Sequence, residues 1–405
     1  MPSQLPSRHF VLNIQLIFNI GFYALVPFLA VHMSSNLQLA GWLIGLVLGA
    51  RTFAQQGLFF VGALLAERFG CRPLMLAGCC VRIAGYLVFA WADDLWGMLL
   101  GAILTGMGGA MFSPCLEALT AEIAAADDNS RTAKNNSLFA LFAVYGELGA
   151  VLGPLLGRLL WGISFQHMAL CSAALFMLAL LLLHLNIPHQ VRRISPLSGW
   201  RRLLGNGPFL CFALFYSSYL LSYNQVYFGL PKELQRSLGS IDALAWLFAM
   251  ASLQVIVLQL PVARLTRHWP AQRTLTLGFV LLALAFVLPA LRHEWPDTWG
   301  QATWLPYAGL MLLLMLGQMC VQPLSLSLVP HFAGHRQLPL YYGALASVAG
   351  CMVLAGSVLL GRLFDLDSSG RLFWLASAAF PLASALFFWL GGKRLFRQVD
   401  LPLQS

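Results

Sequence analysis

The chain has 405 residues, of which 59% are hydrophobic and 10% are charged, and its formal net charge is +9. A bilayer core of about 30 Å is crossed by a helix of about 20 apolar residues, and lipid offers no partner to exposed backbone groups. The composition therefore predicts membrane-spanning helices. The basic residues lie mainly in connectors between apolar stretches, so no nucleic-acid partner is expected.

Apolar windows predict twelve transmembrane helices. These predicted helices, numbered one to twelve, cover residues 10–33, 40–66, 73–92, 95–122, 135–160, 166–186, 207–230, 241–264, 271–292, 303–330, 339–363 and 371–392. The first is longer than the core of a signal peptide and has no small-residue cleavage site, so we expect it to be retained. Seven of the eight cysteines fall inside predicted helices, as is typical of packing residues, and neither a disulfide nor a metal site is expected.

The basic residues are divided unequally between the two sides of the membrane. If the N-terminus is inside, sixteen lie in cytoplasmic connectors and six in connectors on the opposite side. Short connectors rich in lysine and arginine stay in the cytoplasm. The sequence therefore predicts a multi-pass protein of the cell inner membrane with both termini in the cytoplasm.

The chain divides near its middle, where a polar connector with four arginines follows helix six. We expect an N-terminal six-helix bundle (1–188), a cytoplasmic linker (189–206) and a C-terminal six-helix bundle with a short cytoplasmic tail (207–405). The run PLLGRLL at 154–160 recurs as VLLGRLF at 358–364, an offset of 204 residues. Two parallel repeats would leave such an offset and place a substrate site at mid-membrane between the halves. A chance likeness of small apolar residues is the alternative.

The connector between helices two and three contains an acidic residue, a glycine and two basic residues, namely Glu67, Arg68, Gly70 and Arg72. This pattern resembles the corresponding loop of major facilitator superfamily transporters. The resemblance implies an all-α integral membrane fold with twelve transmembrane helices in two pseudo-symmetric six-helix bundles. It also implies that the loop is a cytoplasmic latch that breaks during the transport cycle. The sequence departs from the pattern where Ala63 replaces a glycine and where glutamate replaces aspartate.

Helix five carries a second motif, formed by Gly149, Gly153, Pro154 and Gly157. It resembles the motif of the twelve-helix drug/proton antiporter branch of the same superfamily. Proline bends a helix, and glycines let a neighbouring helix approach closely. The resemblance implies multidrug efflux: export of small amphipathic molecules by alternating access, driven by the proton gradient and without a bound cofactor. An arginine that many members of the branch carry on helix four is absent.

Three ionisable residues lie deep in predicted helices: Arg51, Arg82 and Glu147. A charge at the centre of a spanning helix costs about 2.5–3.5 kcal/mol, so such residues should face a cavity or a partner. At 1.5 Å per residue, Arg51 and Glu147 lie about 17 and 18 Å from opposite faces of the membrane, so they can pair. We expect Glu147 to carry the proton and Arg51 to modulate it or to hold an anionic group. A permanent structural ion pair is the alternative.

Polar and aromatic residues recur at helical spacing on several helices. The candidate substrate contacts are Gln15, Asn19, Tyr23, Gln55, Tyr216, Tyr219, Tyr223, Gln318 and Gln322. Aromatic and amide groups on one face suit a large, partly apolar ligand. Polar seams between helices are the alternative.

Other classes of function fit less well. An ATP-driven pump needs a phosphate-binding loop with Gly-Lys-Ser or Gly-Lys-Thr, which the sequence lacks. A membrane-embedded enzyme would need a deep nucleophile and base or a metal cluster, whereas His331 and His335 have no third ligand nearby. Within transport, the two deep arginines would also suit an anionic metabolite such as a carboxylate siderophore. The expected partners are a small-molecule substrate, protons and the lipid bilayer, and the expected state is a monomer.

Overall fold

The computed structural model describes residues 6–126, 135–187, 203–239, 242–291, 304–333, 338–367 and 369–397. These residues form α-helices and one π-helix, and no strand occurs among them. The α-helices in chain order are α1 (Arg8–Tyr23), α2 (Val26–Ser35), α3 (Gly41–Thr52), α4 (Phe59–Phe69), α5 (Cys71–Trp91), α6 (Leu95–Ala126), α7 (Asn135–Trp161), α8 (Phe165–Asn186), α9 (Gly207–Asn224), α10 (Gly229–Leu238), α11 (Asp242–Thr266), α12 (Ala271–Ala290), α13 (Leu305–Ala333), α14 (Leu338–Leu366) and α15 (Arg371–Arg397).

The all-α membrane fold predicted from the sequence is confirmed. In the described residues, eleven spans are long and apolar enough to cross a bilayer, and they match every predicted helix except helix seven. Helix seven is present as α9, whose 18 residues include several serines and tyrosines.

Three helices that we predicted as continuous are interrupted. Helix one breaks between α1 and α2, helix two contains the π-helix Phe53–Gly57, and helix seven ends at Asn224 before α10 begins. At the first and third breaks the backbone closes tighter turns, in which Leu25 donates to the carbonyl of Phe22 and Gln225 donates to that of Ser222. Such turns end the regular helical hydrogen-bond ladder without leaving these amides unpaired.

The chain forms two compact units. Unit 1 contains residues 1–32 and 50–196, and unit 2 contains residues 33–49 and 197–405. The predicted linker lies mostly outside the described residues. The predicted domain boundaries, which placed residues 33–49 in the first bundle, stay a prediction.

Unit 1 has an aromatic core between α1, α5, α6 and α8. The ring of Phe18 lies 4.0 Å from that of Phe112 and 5.1 Å from that of Phe176, and Phe176 also contacts Tyr86. All four side chains are buried. Burial of such large rings is a major source of packing energy in the unit.

Unit 2 packs α12 against α13 and α15. Gly278 and Gly317 face each other across the α12–α13 contact, where a Cβ on either would lie about 3 Å from the other's carbonyl oxygen. On the α15 side, the rings of Phe279 and Phe388 stack at 5.5 Å. Small residues therefore bring the backbones together on one face of α12, and aromatic rings fill the other.

The beginning of α3 belongs to unit 2 because a row of glycines packs it against α14. Gly41, Gly45 and Gly49 recur at every fourth residue. A Cβ on Gly45 would overlap the carbonyl oxygen of Ser357, and one on Gly41 would lie 2.7 Å from that of Gly361. Only glycine permits such an approach of two helix backbones. The spacing is visible in the sequence, but we did not predict this contact.

Candidate functional site

Glycines of α6 bring the two deep arginines of unit 1 close together. A Cβ on Gly106 would overlap the carbonyl oxygen of Arg51, and one on Gly108 would lie 2.8 Å from the Cβ of Arg82. The segments that carry the arginines therefore pack directly on the α6 backbone. The glycines of α6 thus allow both segments to approach its backbone closely.

Arg51 lies in the last turn of α3, two residues before the π-helix begins, and only 4% of its surface is exposed. Its guanidinium donates to Gln55 Oε1 at 3.1 Å and to Thr52 Oγ1 at 3.2 Å. It also lies over the ring of Phe22, 5.0 Å from the centroid. Single π-helical turns are frequent at functional sites, and this one holds Gln55 beside Arg51.

Arg82 lies on α5 and is 3% exposed. Three rings surround its guanidinium: Phe176 at 4.9 Å, Phe112 at 5.2 Å and Phe22 at 5.6 Å. Its Nε has no hydrogen-bond partner, and the part of the chain that the structure describes places no carboxylate within ion-pair distance of it. A desolvated cation–π contact stabilises by about 2 kcal/mol, so the rings offset much of the cost of placing this charge in the membrane.

Arg51, Arg82 and the rings of Phe22, Phe112 and Phe176 are called the arginine cluster below. Phe22 contacts both guanidinium groups and so joins the two arginines. The sequence predicted the depth of the arginines but not these rings. No local spacing indicates them, because they come from three different helices.

Glu147 lies on α7 of unit 1 and is half-buried. The preceding residue, Gly146, faces α1, because a Cβ there would lie 3.2 Å from Gln15 Nε2. Glu147 is thus next to the α1–α7 contact. Its pairing with Arg51 and its role in proton coupling stay predictions.

The helix-five motif packs α7 against α1. A Cβ on Gly149 would overlap the Cβ of Asn19, and one on Gly153 would lie 2.5 Å from the Cβ of Tyr23. A Cβ on Gly157 would overlap the Ala24 carbonyl oxygen. α7 runs through Pro154 without interruption. The glycines therefore form a close seam between the two helices, as their spacing suggested.

The predicted polar stripe of helix one follows this seam. Gln15, Asn19 and Tyr23 are all half-buried, and Asn19 Nδ2 donates to the carbonyl of Gln15 at 2.9 Å. The Cβ atoms of Asn19 and Tyr23 pack against α7, whereas part of each residue is accessible. The stripe thus has a packing role, and its substrate contact stays a prediction.

The predicted latch residues lie around the junction of α4 and α5. Gly70 joins these helices with a φ of 87°, which favours glycine, and Arg68 is exposed over the ring of Phe69. Arg72 is buried and donates to the carbonyl of His184 at 2.9 Å, near the end of α8. A cation there interacts favourably with the helix dipole. The Glu67 side chain lies outside the described residues, so the latch stays a prediction.

Unit 2 contains a row of aromatic rings that follows α9 and continues into the turn after it. We call this row the tyrosine ladder: Tyr216, Tyr219 and Tyr223 on α9, and Tyr227 after its end. Successive centroids lie 5.6, 6.5 and 5.7 Å apart, and the hydroxyl of Tyr227 donates to that of Tyr223 at 3.3 Å. The first two tyrosines are buried, and Tyr223 is half-buried. The structure thus brings the three predicted tyrosines, Tyr216, Tyr219 and Tyr223, into one continuous row with Tyr227.

The predicted glutamines of helix ten also meet. Gln318 Nε2 donates to Gln322 Oε1 at 3.3 Å on α13. Gln318 Oε1 and the hydroxyl of Ser325 are buried without a hydrogen-bond partner in the structure. Buried polar atoms are usually paired, so these atoms are suited to accept or donate hydrogen bonds to a ligand.

Comparison with known proteins supports the resemblance seen in the motifs. The family model described as Major Facilitator Superfamily matches residues 11–233 and 218–400. An uncharacterized MFS-type transporter of Mycobacterium tuberculosis is 34% identical over 374 residues, covering 89% of this chain and 86% of the relative. The multidrug resistance protein MdtH of Photorhabdus laumondii is 27% identical over 341 residues, covering 83% of this chain and 81% of MdtH.

Solved structures show the same fold. A crystal structure of a peptide transporter POT in complex with sulfate superposes with a TM-score of 0.77, covers 97% of this chain and 95% of that chain, and is 15% identical. The nucleoside transporter NupG superposes with a TM-score of 0.76, covers 96% of this chain and 100% of that chain, and is 11% identical.

Proposed function

Because this chain belongs to the major facilitator superfamily, we propose that it is a secondary active transporter that exports small amphipathic molecules across the inner membrane in exchange for protons. Its family places it with membrane transporters and not with enzymes. The observation that carries export is the α1–α7 seam, in which the glycines of the antiporter motif meet the α1 backbone. The similarity to MdtH, which is named for multidrug resistance, supports drugs as the cargo.

The proposed proton carrier is Glu147. It is an acidic residue inside a spanning helix, and it lies next to the seam that the antiporter motif forms. Acidic residues in spanning helices are rare and often belong to proton pathways. A charge crossing 100 mV is worth about 2.3 kcal/mol, which is enough to drive accumulation when protons are exchanged.

The tyrosine ladder and the α13 glutamines are the proposed cargo contacts of unit 2. Tyrosine combines an apolar ring with a polar hydroxyl, so a row of them fits molecules with both kinds of surface. The unpartnered oxygen of Gln318 adds a hydrogen-bond acceptor. These groups suit a range of amphipathic cargoes rather than one molecule of a defined shape.

Transport in everted membrane vesicles tests this function. Vesicles carrying the wild-type protein should accumulate cationic drugs or fluoroquinolones when a proton gradient is applied, and should release protons when cargo is added. Glu147→Gln should abolish the dependence on the pH gradient, because the amide cannot carry a proton.

The matched control is Asp93→Asn, which neutralises an exposed carboxylate in the α5–α6 connector. It should transport like the wild type. A Glu147→Gln protein that transports with undiminished gradient dependence would exclude the coupling role of Glu147. Absence of transport for every cargo in the panel would contradict drug export itself.

An anionic cargo is the second candidate, and the arginine cluster favours it. Two buried guanidinium groups share the ring of Phe22, and Arg82 retains an unpaired Nε. A carboxylate would supply the missing acceptor and charge. Carboxylate siderophores should therefore join the vesicle panel, and Arg82→Gln should lower their transport more than that of cationic drugs.

A further inference from the structure

A groove of about 280 Å³ lies on unit 2 between α12 and α15. It is lined by Gln272, Arg273, Thr276, Leu277, Val280 and Trp389. Its walls are predominantly apolar, although three polar residues, Gln272, Arg273 and Thr276, line the part near the start of α12. None of these residues belongs to the arginine cluster, the tyrosine ladder or the antiporter motif.

Near the start of α12, a hydrogen bond at the end of the groove joins α12 to α15. Gln272 Nε2 donates to the carbonyl of Trp389 at 2.7 Å. A Cβ on Gly392 would lie 2.8 Å from Gln272 Cγ, so glycine there lets the amide reach α15. The backbone of α15 at Trp389 is therefore joined to the start of α12.

The groove runs from a charged end to an apolar end. Arg273 is the third residue of α12, and Val280 lies seven residues further along the helix. At 1.5 Å per residue this is a depth of about 10 Å. Arg273 is exposed, and within the described ranges no carboxylate lies at ion-pair distance from it.

We propose that this groove binds an anionic phospholipid of the bilayer. The phosphate pairs with the Arg273 guanidinium, which can hold two phosphate oxygens at once. The first part of an acyl chain lies along Leu277 and Val280, and the indole of Trp389 lies at the level of the headgroup, where tryptophan is enriched. The volume suits this part of one chain and not a whole lipid.

This inference depends on the chain being a membrane protein, not on its cargo or on proton coupling. Cationic residues near the membrane surface attract anionic lipids. The positive-inside prediction places the groove in the cytoplasmic leaflet. Its test therefore fails or succeeds independently of the transport assays.

Native mass spectrometry of the purified full-length protein tests the proposal. The protein would be equilibrated with micelles that contain phosphatidylglycerol and phosphatidylcholine in equal amounts. The wild type should retain phosphatidylglycerol at least about fivefold over phosphatidylcholine. Arg273→Gln should lower this ratio to near one, and Leu277→Trp should reduce retention of phosphatidylglycerol by filling the groove.

The matched control is Arg264→Gln, which removes an exposed arginine at the end of the neighbouring α11. It should keep the wild-type ratio. Equal retention of both lipids by the wild type would overturn the proposal. An Arg264→Gln protein that loses as much selectivity as Arg273→Gln would also overturn it, because attraction would then come from surface charge in general.

Discussion

Asp365, in the last turn of α14, caps the helix that begins at Gly41, 324 residues earlier in the chain. Its two carboxylate oxygens accept hydrogen bonds from the backbone amides of Gly41 at 2.6 Å and of Trp42 at 3.0 Å. The first amides of a helix have no partner inside the helix, and a negative charge there interacts favourably with the helix dipole. One side chain thus joins the start of α3 to the end of α14 within unit 2.

Replacing Asp365 by asparagine should destabilise unit 2. The amide keeps one oxygen acceptor but loses the second acceptor and the charge, so we expect a loss of about 1 kcal/mol in the free energy of unfolding. Thermal unfolding in detergent would measure it. Asp93→Asn, which removes an exposed carboxylate outside this contact, should leave the transition unchanged. Equal stability of the wild type and Asp365→Asn would show that the cap contributes nothing.

The glycine row of α3 predicts a second effect. A Cβ on Gly45 would overlap the backbone carbonyl oxygen of Ser357, which cannot turn away as a flexible side chain can. Gly45→Ala should therefore push α3 from α14 and cost about 1–3 kcal/mol. Gly207→Ala is the control, because a Cβ there meets no atom within 4 Å. If both variants unfold at the wild-type temperature, the backbones of α3 and α14 do not approach each other this closely.

Lys232 should titrate near pH 8, well below the pH at which an ordinary lysine titrates. It lies on α10, outside the candidate spans, with its ammonium 4.3 Å from the Phe364 ring centroid. Burial lowers its pKa from 10.5 to about 8, although the nearby Asp365 carboxylate opposes this shift. The chain has three lysines, so acetylation followed by peptide mass spectrometry can resolve each one. We expect the labelling rate of Lys232 to reach half its maximum near pH 8.

The same shift predicts how stability depends on pH. Between about pH 8 and 10.5 the unfolded chain holds a proton on Lys232 that the folded chain has released, so the free energy of unfolding rises with pH in that window. Lys232→Arg should lack this rise, because arginine stays charged throughout. A labelling midpoint near 10.5, or the same pH dependence in both proteins, would contradict the lowered pKa.

The features that could be predicted from the sequence are those that depend on local hydrophobicity and on the positions of charged residues. The number of spanning helices and the depth of the arginines follow from local composition, and the helix-five glycines indicated close packing before any contact was known. The break at Asn224 and the π-helix after Arg51 were not predicted, because a hydropathy window of about 20 residues does not resolve a local change in the backbone hydrogen-bond pattern.

Contacts between segments that are far apart in the chain could not be predicted from the sequence either. Asp365 is one of several acidic residues next to a helix end, and nothing near it indicates Gly41 as its partner. The rings around Arg82 come from α1, α6 and α8, so their convergence depends on the packing of whole helices. Such sites follow from tertiary geometry, which a single sequence does not display.

Arg82 offers a way to separate function from stability. Its guanidinium is buried among three rings, and no carboxylate of the described residues pairs with it. Replacing a buried charge by an apolar side chain of similar length removes its desolvation cost, so Arg82→Met should unfold at the wild-type temperature or above. If the arginine binds anionic cargo, transport of that cargo should fall at least about tenfold, the effect of losing a charge-assisted hydrogen bond of about 1.4 kcal/mol or more.

The control for Arg82→Met is Arg362→Met, because Arg362 is exposed on α14 and lies outside the arginine cluster. It should change neither property. A structural role for Arg82 predicts the opposite pattern, in which the cation–π contacts dominate and the variant unfolds at a lower temperature. Buried charges that lower the stability of a protein are typical of functional sites. Thermal unfolding and vesicle transport, measured on the same preparations, therefore distinguish an arginine that binds cargo from one that stabilises the fold.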